Sequence, residues 1–216
     1  MGNVIVLFGK PGAGKGTRVS KFLEGKEEQF DVLSVSNMLK QAVKEQTEQG
    51  KIAEEYMNSG KLVPNEIVNS IVISTIQAAQ KDVFIDGFPR TEVQAQAMLE
   101  AGIKPDLVVE FFVDDEIVVQ RAKDRLACSN SKCGETYTTN AFKRPKQDGV
   151  CDKCGHELIK RKDDQPEIVK ERLEVYRTQT YPVLEIFKNN DIEICTIDNS
   201  QGDSYQEFVR IMNELV

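Results

Sequence analysis

Residues 9–17 read Gly9-Lys10-Pro11-Gly12-Ala13-Gly14-Lys15-Gly16-Thr17, directly after an apolar run at 4–8 and directly before a helical pattern. That is the context a phosphate-binding loop requires. Its glycines let backbone N–H groups turn inward toward an anion, the helix N-terminus adds partial positive charge, and Lys15 can reach the outer phosphates. The hydroxyl that usually follows the lysine is displaced by Gly16 and arrives at Thr17. A dinucleotide fingerprint fails here, because its third glycine would fall on Thr17 or Val19. A second apolar run, 82–86, ends in a carboxylate and continues Gly87-Phe88-Pro89-Arg90. In a parallel sheet the carboxyl ends of strands line the ligand crevice, so Asp86 is expected to face the same phosphates and hold Mg²⁺ through water while Arg90 grips a phosphate. A tight turn with Asp86 capping a helix is the competing reading.

Arg121 and Arg125 lie four apart on an expected helix at 115–126, where like charges repel unless an anion sits between them. With Lys15, Arg90, Arg161 and Arg172 they could surround a transferring phosphoryl group, whose transition state is stabilised chiefly by positioned positive charge. Taken singly, each arginine also reads as a solvated surface residue. Cys128, Cys133, Cys151 and Cys154 form a Cys-x4-Cys, x17, Cys-x2-Cys arrangement suited to one tetrahedral, structural Zn²⁺. Disulfides are the alternative, disfavoured in a reducing cytoplasm. His156 could replace one ligand, its plainer reading being a solvent-exposed side chain, and Cys195 reads as a small buried apolar residue.

The elements that must position these groups alternate strand-like runs (4–8, 31–35, 82–86, 107–113, 192–197) with helical patterns (15–24, 37–46, 65–79, 92–100, 115–126, 166–178, 204–215). That order predicts an α/β fold around a mostly parallel sheet. Asp163-Asp164 read as acidic caps ahead of Pro166, and Pro182 is expected to end or kink the helix before it. Two stretches interrupt the rhythm. Residues 128–156, rich in Cys, Gly, Lys, Thr and Asn, read as an inserted subdomain, and the polar helical stretch 34–60 as a second insertion.

With 216 residues, 40% hydrophobic and 29% charged, the chain can bury a core and stay soluble, which excludes disordered and fibrous classes. A net charge of −7 and the absence of Trp argue against a zinc-ribbon nucleic-acid binder or an anionic-membrane partner. No apolar run approaches a spanning helix, and Val6 stands where myristoylation after Met1-Gly2 wants Ser or Thr, so a cytoplasmic protein is expected.

The loop with Pro11 and Gly16-Thr17, together with Val83-Phe84-Ile85-Asp86-Gly87-Phe88-Pro89-Arg90, three residues and Gln94, resembles the adenylate kinase family. The resemblance extends through Gly60-Lys61-Leu62-Val63, the arginine pair, the cysteine insertion and Arg161-Lys162-Asp163-Asp164-Gln165. It implies a single domain over 1–216, built as a P-loop three-layer sandwich on a five-stranded parallel sheet. A helical NMP-binding insertion would occupy 34–63 and a small β, zinc-binding lid 124–163. It further implies that Gly12, Ala13, Gly14, Lys15, Gly16 and Thr17 hold ATP phosphates, that Arg121 packs on the ATP adenine, and that Arg125, Arg161 and Arg172 gather round the transferred group. The AMP site would comprise Val35, Lys40, Lys61, Leu62, Val63, Gly87, Arg90 and Gln94, with Arg161 and Arg172. Mg²⁺ would accompany ATP and Zn²⁺ the four cysteines; a monomer without nucleic-acid or membrane partners is expected. Where the family has Ser-Thr-Gly-Asp-Met-Leu-Arg, this chain has Ser34-Val35-Ser36-Asn37-Met38-Leu39-Lys40, so valine replaces the threonine that touches the base and lysine the arginine on the AMP phosphate. A kinase for another nucleoside monophosphate is the alternative, as is a P-loop regulatory protein without kinase chemistry; no guanine-reading Asn-Lys-x-Asp occurs.

Overall fold

A computed structural model describes residues 2–26, 28–59, 61–130, 133–140, 143–200 and 204–215; Gly60, part of the expected acceptor segment, lies outside them. Strands β1 (Val4–Phe8), β2 (Phe30–Ser34), β3 (Asp82–Asp86) and β4 (Leu107–Phe112) come first along the chain. They are followed by β5 (Arg125–Cys128), β6 (Thr136–Thr138), β7 (Leu158–Ile159) and β8 (Ile194–Asp198). The helices are α1 (Lys15–Phe22), α2 (Val35–Lys44), α3 (Glu48–Asn58), α4 (Asn65–Ala78), α5 (Glu92–Glu100), α6 (Asp115–Asp124), α7 (Pro166–Val175), α8 (Val183–Asn189) and α9 (Tyr205–Leu215). Five strands form one parallel sheet in the order β2-β3-β1-β4-β8, as the alternation of strands and helices predicts.

Both faces of this sheet are covered, which is why its central strands are continuous apolar runs. Val4, Val6 and Phe8 of β1 pack with α2, α4, α5 and α8, while Ile5 and Leu7 pack with α1, α6, α7 and α9. The order of strands switches side at β1, with β2 and β3 on one side and β4 and β8 on the other, so the carboxyl ends of β1 and β3 open a crevice where ligands of such sheets bind. The second sheet is small and antiparallel, ordered β6-β5-β7, with Arg125 opposite Thr138 and Ala127 opposite Ile159. Its core is little more than Cys128, Tyr137, Cys151 and Leu158, too few apolar residues to hold a fold unaided.

Several expectations are corrected. The helix expected at 115–126 stops at Asp124, because Arg125 adopts φ −68°, ψ 136° and opens β5. Arg121 and Arg125 therefore do not share a helical face, and the like-charge argument lapses. Val35 starts α2 rather than ending β2, since the extended Ser34 already stands at the helix N-cap. The polar stretch 34–60 holds a separate second helix, α3, started by Thr47, whose hydroxyl accepts from the Gly50 N–H at 2.9 Å. The pattern at 166–178 divides: α7 ends at Val175, a π-helical turn spans Tyr176–Thr180, and α8 follows Pro182, which has no N–H to continue the ladder. Asp163 and Asp164 do not cap α7. Gln165 occupies that position, and both carboxylates turn to arginines instead. Cys195 is only half-buried, on an edge strand.

Candidate active site

The phosphate loop leaves the carboxyl end of β1 with Gly9, Gly12 and Gly14 all at positive φ, a path that residues with a side chain rarely follow. Gly14 is required twice over: φ is +90°, and a Cβ there would lie 2.9 Å from the Asn199 amide nitrogen. Lys15 folds back over the loop, its ammonium donating to the Gly9 carbonyl at 2.8 Å and the Lys10 carbonyl at 3.2 Å, and standing 4.0 Å from Asp86. Burial lowers its pKa to about 8 against the raising charge of Asp86, with Arg90 and Arg172 adding to the fall. Gly16 and Thr17 are exposed at the mouth of the loop. Lys10 secures the outer side, donating to the Val113 carbonyl at 2.7 Å beside Asp115.

Arg90 follows β3. Its Nε donates to the Gly87 carbonyl at 3.0 Å, and a Cβ on Gly87, at φ +92°, would meet its guanidinium at 2.7 Å. Arg90 also touches the π turn, because Thr180 donates to its carbonyl at 2.9 Å. One pocket is lined by Gly9, Lys15, Leu62, Arg90, Arg172 and Tyr176, so the loop lysine and two of the expected arginines face a common space. A neighbouring pocket brings Gly12 together with Arg125, Asp164 and Arg172.

Three arginines crowd here with two carboxylates to hold them. Arg125 grips Asp164 with two N–H groups of one guanidinium edge, Nε at 2.9 Å from Oδ2 and Nη2 closing on Oδ1. Arg161 donates to Asp163 at 2.8 and 2.5 Å, and Arg172 reaches the same carboxylate at 2.8 Å. Burial would raise the Asp163 pKa, but hydrogen bonds from Arg161 and the charges of Arg161, Arg172 and Arg125 hold it at about 2. Burial lowers Arg172 to about 10 despite Asp163. Sequence reasoning missed this role of Asp163 and Asp164. Their adjacency to Arg161 was the available signal, whereas Arg172 and Arg125 approach only through the fold.

Of the residues expected around AMP, Val35 and Val63 are buried, Leu62 is half-buried, and Lys61 is exposed. Lys40 lies on α2 toward the same arginines: partial burial and Arg161 lower its pKa, Asp163 opposes, and Arg172 and Arg125 add to the fall. Gln94 is 2% exposed, its Oε1 accepting from the Arg90 N–H at 2.7 Å and its Nε2 donating to Asn65 at 3.0 Å. Asn65 thus orients Gln94, a contact spanning 29 residues that no local pattern announces. Arg121 points the other way, donating to the Asn199 carbonyl at 2.7 Å and lying 3.4 Å from the Gly12 and Ala13 carbonyls.

In the small sheet the four cysteine sulfurs lie within 4.8 Å of one another, with Cys128 and Cys154 at 3.4 Å and Cys133 and Cys151 at 3.8 Å. A zinc ion with Zn–S bonds of ~2.3 Å sets tetrahedral edges of about 3.8 Å, so the donor set fits Zn²⁺. Within the cluster the backbone N–H of His156 and the neighbouring thiols lower Cys154 to about 6, while burial raises Cys128 to about 12. His156 itself is exposed, its Nδ1 3.1 Å from the Cys154 carbonyl, and is no member of the cluster. The cysteines are free of disulfides. For Mg²⁺, the Asp86 carboxylate and Thr17 hydroxyl offer the hard oxygen donors that ion prefers. Among the described residues no helix is long and apolar enough to cross a membrane.

Comparison with known proteins agrees with this geometry. The family model for adenylate kinase matches residues 7–192. An adenylate kinase of Caldicellulosiruptor bescii is 41% identical over 217 residues, covering 96% of this chain and 98% of its own. One of Caldicellulosiruptor saccharolyticus is 37% identical with the same coverage, and one of Archaeoglobus fulgidus is 40% identical over 87% of both chains. A phosphate loop facing a carboxylate-braced arginine cluster, beside a four-cysteine knot, is thus found in a chain similar to kinases along almost its whole length. The chain belongs to the adenylate kinase family.

Proposed function

We propose that the protein transfers the terminal phosphoryl group of Mg-ATP reversibly to AMP, giving two ADP, and so helps balance the adenine nucleotides of the cytoplasm as a monomer. The observation that carries this reading is the common pocket of Lys15, Arg90 and Arg172, with Arg125 and Arg161 held beside it by Asp164 and Asp163. In the transfer, a phosphate oxygen of AMP forms a bond to the γ-phosphorus as the bond from that phosphorus to the β–γ bridging oxygen breaks. The loop N–H groups and Lys15 take up the charge left on the ADP side, while Arg90 fixes the AMP phosphate. Arg125, Arg161 and Arg172 offset charge on the group in flight. Asp86 and Thr17 would hold Mg²⁺, which would supply charge neutralisation to the nucleotide phosphates.

The segment 34–63 is the acceptor insertion in this reading, with Val35, Lys40, Lys61, Leu62 and Val63 around AMP and Gln94 reading the adenine edge beside Gly87. The segment 124–163 is the lid over ATP, stiffened by Zn²⁺ on Cys128, Cys133, Cys151 and Cys154, with Arg121 against the base. Given ADP and Mg²⁺ alone, the protein is expected to produce ATP and AMP in equal amounts. Release of inorganic phosphate without ATP would contradict the transfer.

A further inference from the structure

Asn199, the residue after β8, is fully buried and was not singled out by any sequence pattern. Its Oδ1 accepts from Arg18 Nη2 at 2.6 Å and from the Ser204 hydroxyl at 2.8 Å, and its Nδ2 donates to the Ala13 carbonyl. Its backbone N–H donates to the Phe112 carbonyl at 2.8 Å, and its own carbonyl accepts from Arg121 Nη2 at 2.7 Å. One residue thus joins α1, the phosphate loop, β4, α6 and the start of α9. The amide's orientation follows from chemistry, since a guanidinium can only donate and a carbonyl can only accept.

The Ala13 contact bears on the loop's function. Across a planar trans peptide, the carbonyl of Ala13 and the N–H of Gly14 point in opposite directions. Holding that carbonyl against Asn199 turns the Gly14 N–H to the other side of the loop, where a phosphate is to be bound. The approach is close because Gly14 has no side chain: an added Cβ would lie 2.9 Å from Asn199 Nδ2 and 3.1 Å from Arg18 Nη1. Meanwhile the Asn199 carbonyl fixes the guanidinium of Arg121, the group assigned to the ATP base.

We propose that Asn199 is the positioning residue of the ATP site: its side-chain amide sets the peptide orientation of the phosphate loop while its backbone carbonyl aims Arg121, coupling the phosphate and base ends. This rests on the kinase reading above. The AMP groups Arg90, Gln94 and Lys40 are not among its partners, so its influence is confined to the donor nucleotide.

The test is Asn199→Asp, which keeps the size and the acceptor for Arg18 and Ser204 but sets a carboxylate oxygen against the Ala13 carbonyl. ATP binding is measured by titration calorimetry, both Michaelis constants by steady-state kinetics, and stability by melting temperature. The ATP dissociation constant is expected to rise about tenfold with the AMP constant within about twofold of wild type, the loss of one buried hydrogen bond. Should that variant not fold, Ser204→Ala, which removes one of the two donors steadying Oδ1, is expected to raise the ATP constant about threefold, again leaving AMP alone. An unchanged ATP constant, or ATP and AMP constants rising together in step with a lowered melting temperature, overturns the proposal. A wild-type protein that binds no ATP overturns the kinase reading itself.

Discussion

Lys40 carries its charge on a compact ammonium where the family pattern places a guanidinium, and it does so among Arg161, Arg172 and Arg125. A guanidinium can hold two phosphate oxygens at once, whereas an ammonium binds as a point charge and sheds its water less readily. In the proposed AMP site Arg90 remains as a second anchor. Lys40→Arg is therefore expected to lower the AMP Michaelis constant about fivefold, roughly 1 kcal/mol, with the ATP constant nearly unchanged. Steady-state kinetics with each substrate varied checks this, and an unchanged or raised AMP constant in a folded variant would place Lys40 away from the phosphate. Lys15, Asp86 and Arg90 were legible because their chemistry is encoded in short, ordered spacings after apolar strands. Asp163, Asp164, Asn65 and Asn199 were not, because their partners lie up to 186 residues away in sequence and only the fold brings them together.

Among the elements, the antiparallel sheet β5 to β7 depends most on something other than packing. Its apolar core is four residues, two of them cysteines, and the four sulfurs converge within 4.8 Å of one another. Metal analysis of protein purified without chelator is expected to find one zinc per chain. Stripping it is expected to lower the melting temperature by about 5–10 °C, the equivalent of roughly 2–3 kcal/mol. Absence of zinc together with four freely titrating thiols would contradict this. The sequence announced this insertion by its cysteine spacing, and it announced the parallel sheet by the alternation of strands and helices. It did not announce that α6 yields to β5 at Arg125 or that α7 passes into a π turn. Both endings follow from tertiary demands: Arg125 pairs with Thr138 across the small sheet, and the Thr180 side chain reaches the Arg90 carbonyl.

Across the whole molecule, the end of the small-sheet insertion, α7 and α2 meet at one carboxylate. Asp163 binds Arg161 and Arg172 and faces Lys40, while α3 lies against the turn that carries it. Its pKa of about 2 lies below the ordinary 3.8, so the carboxylate contributes stability in full above pH ~3.8 that is lost as pH falls toward 2. Asp163→Asn is expected to cost about 1–2 kcal/mol at neutral pH, allowing for partial solvent screening, and to flatten the acid limb of the stability curve between pH ~4 and ~2. Denaturant titrations at several pH values check both parts, and an acid limb parallel to wild type would contradict the assignment.

Transfer from ATP to AMP by this arginine cluster is tested by ADP formation from Mg-ATP with AMP, CMP, UMP and GMP supplied in turn. Gln94, buried and oriented by Asn65 and the Arg90 N–H, predicts turnover with AMP far above the other three. No ADP above background with AMP, or faster turnover of a different monophosphate, would contradict transfer to AMP.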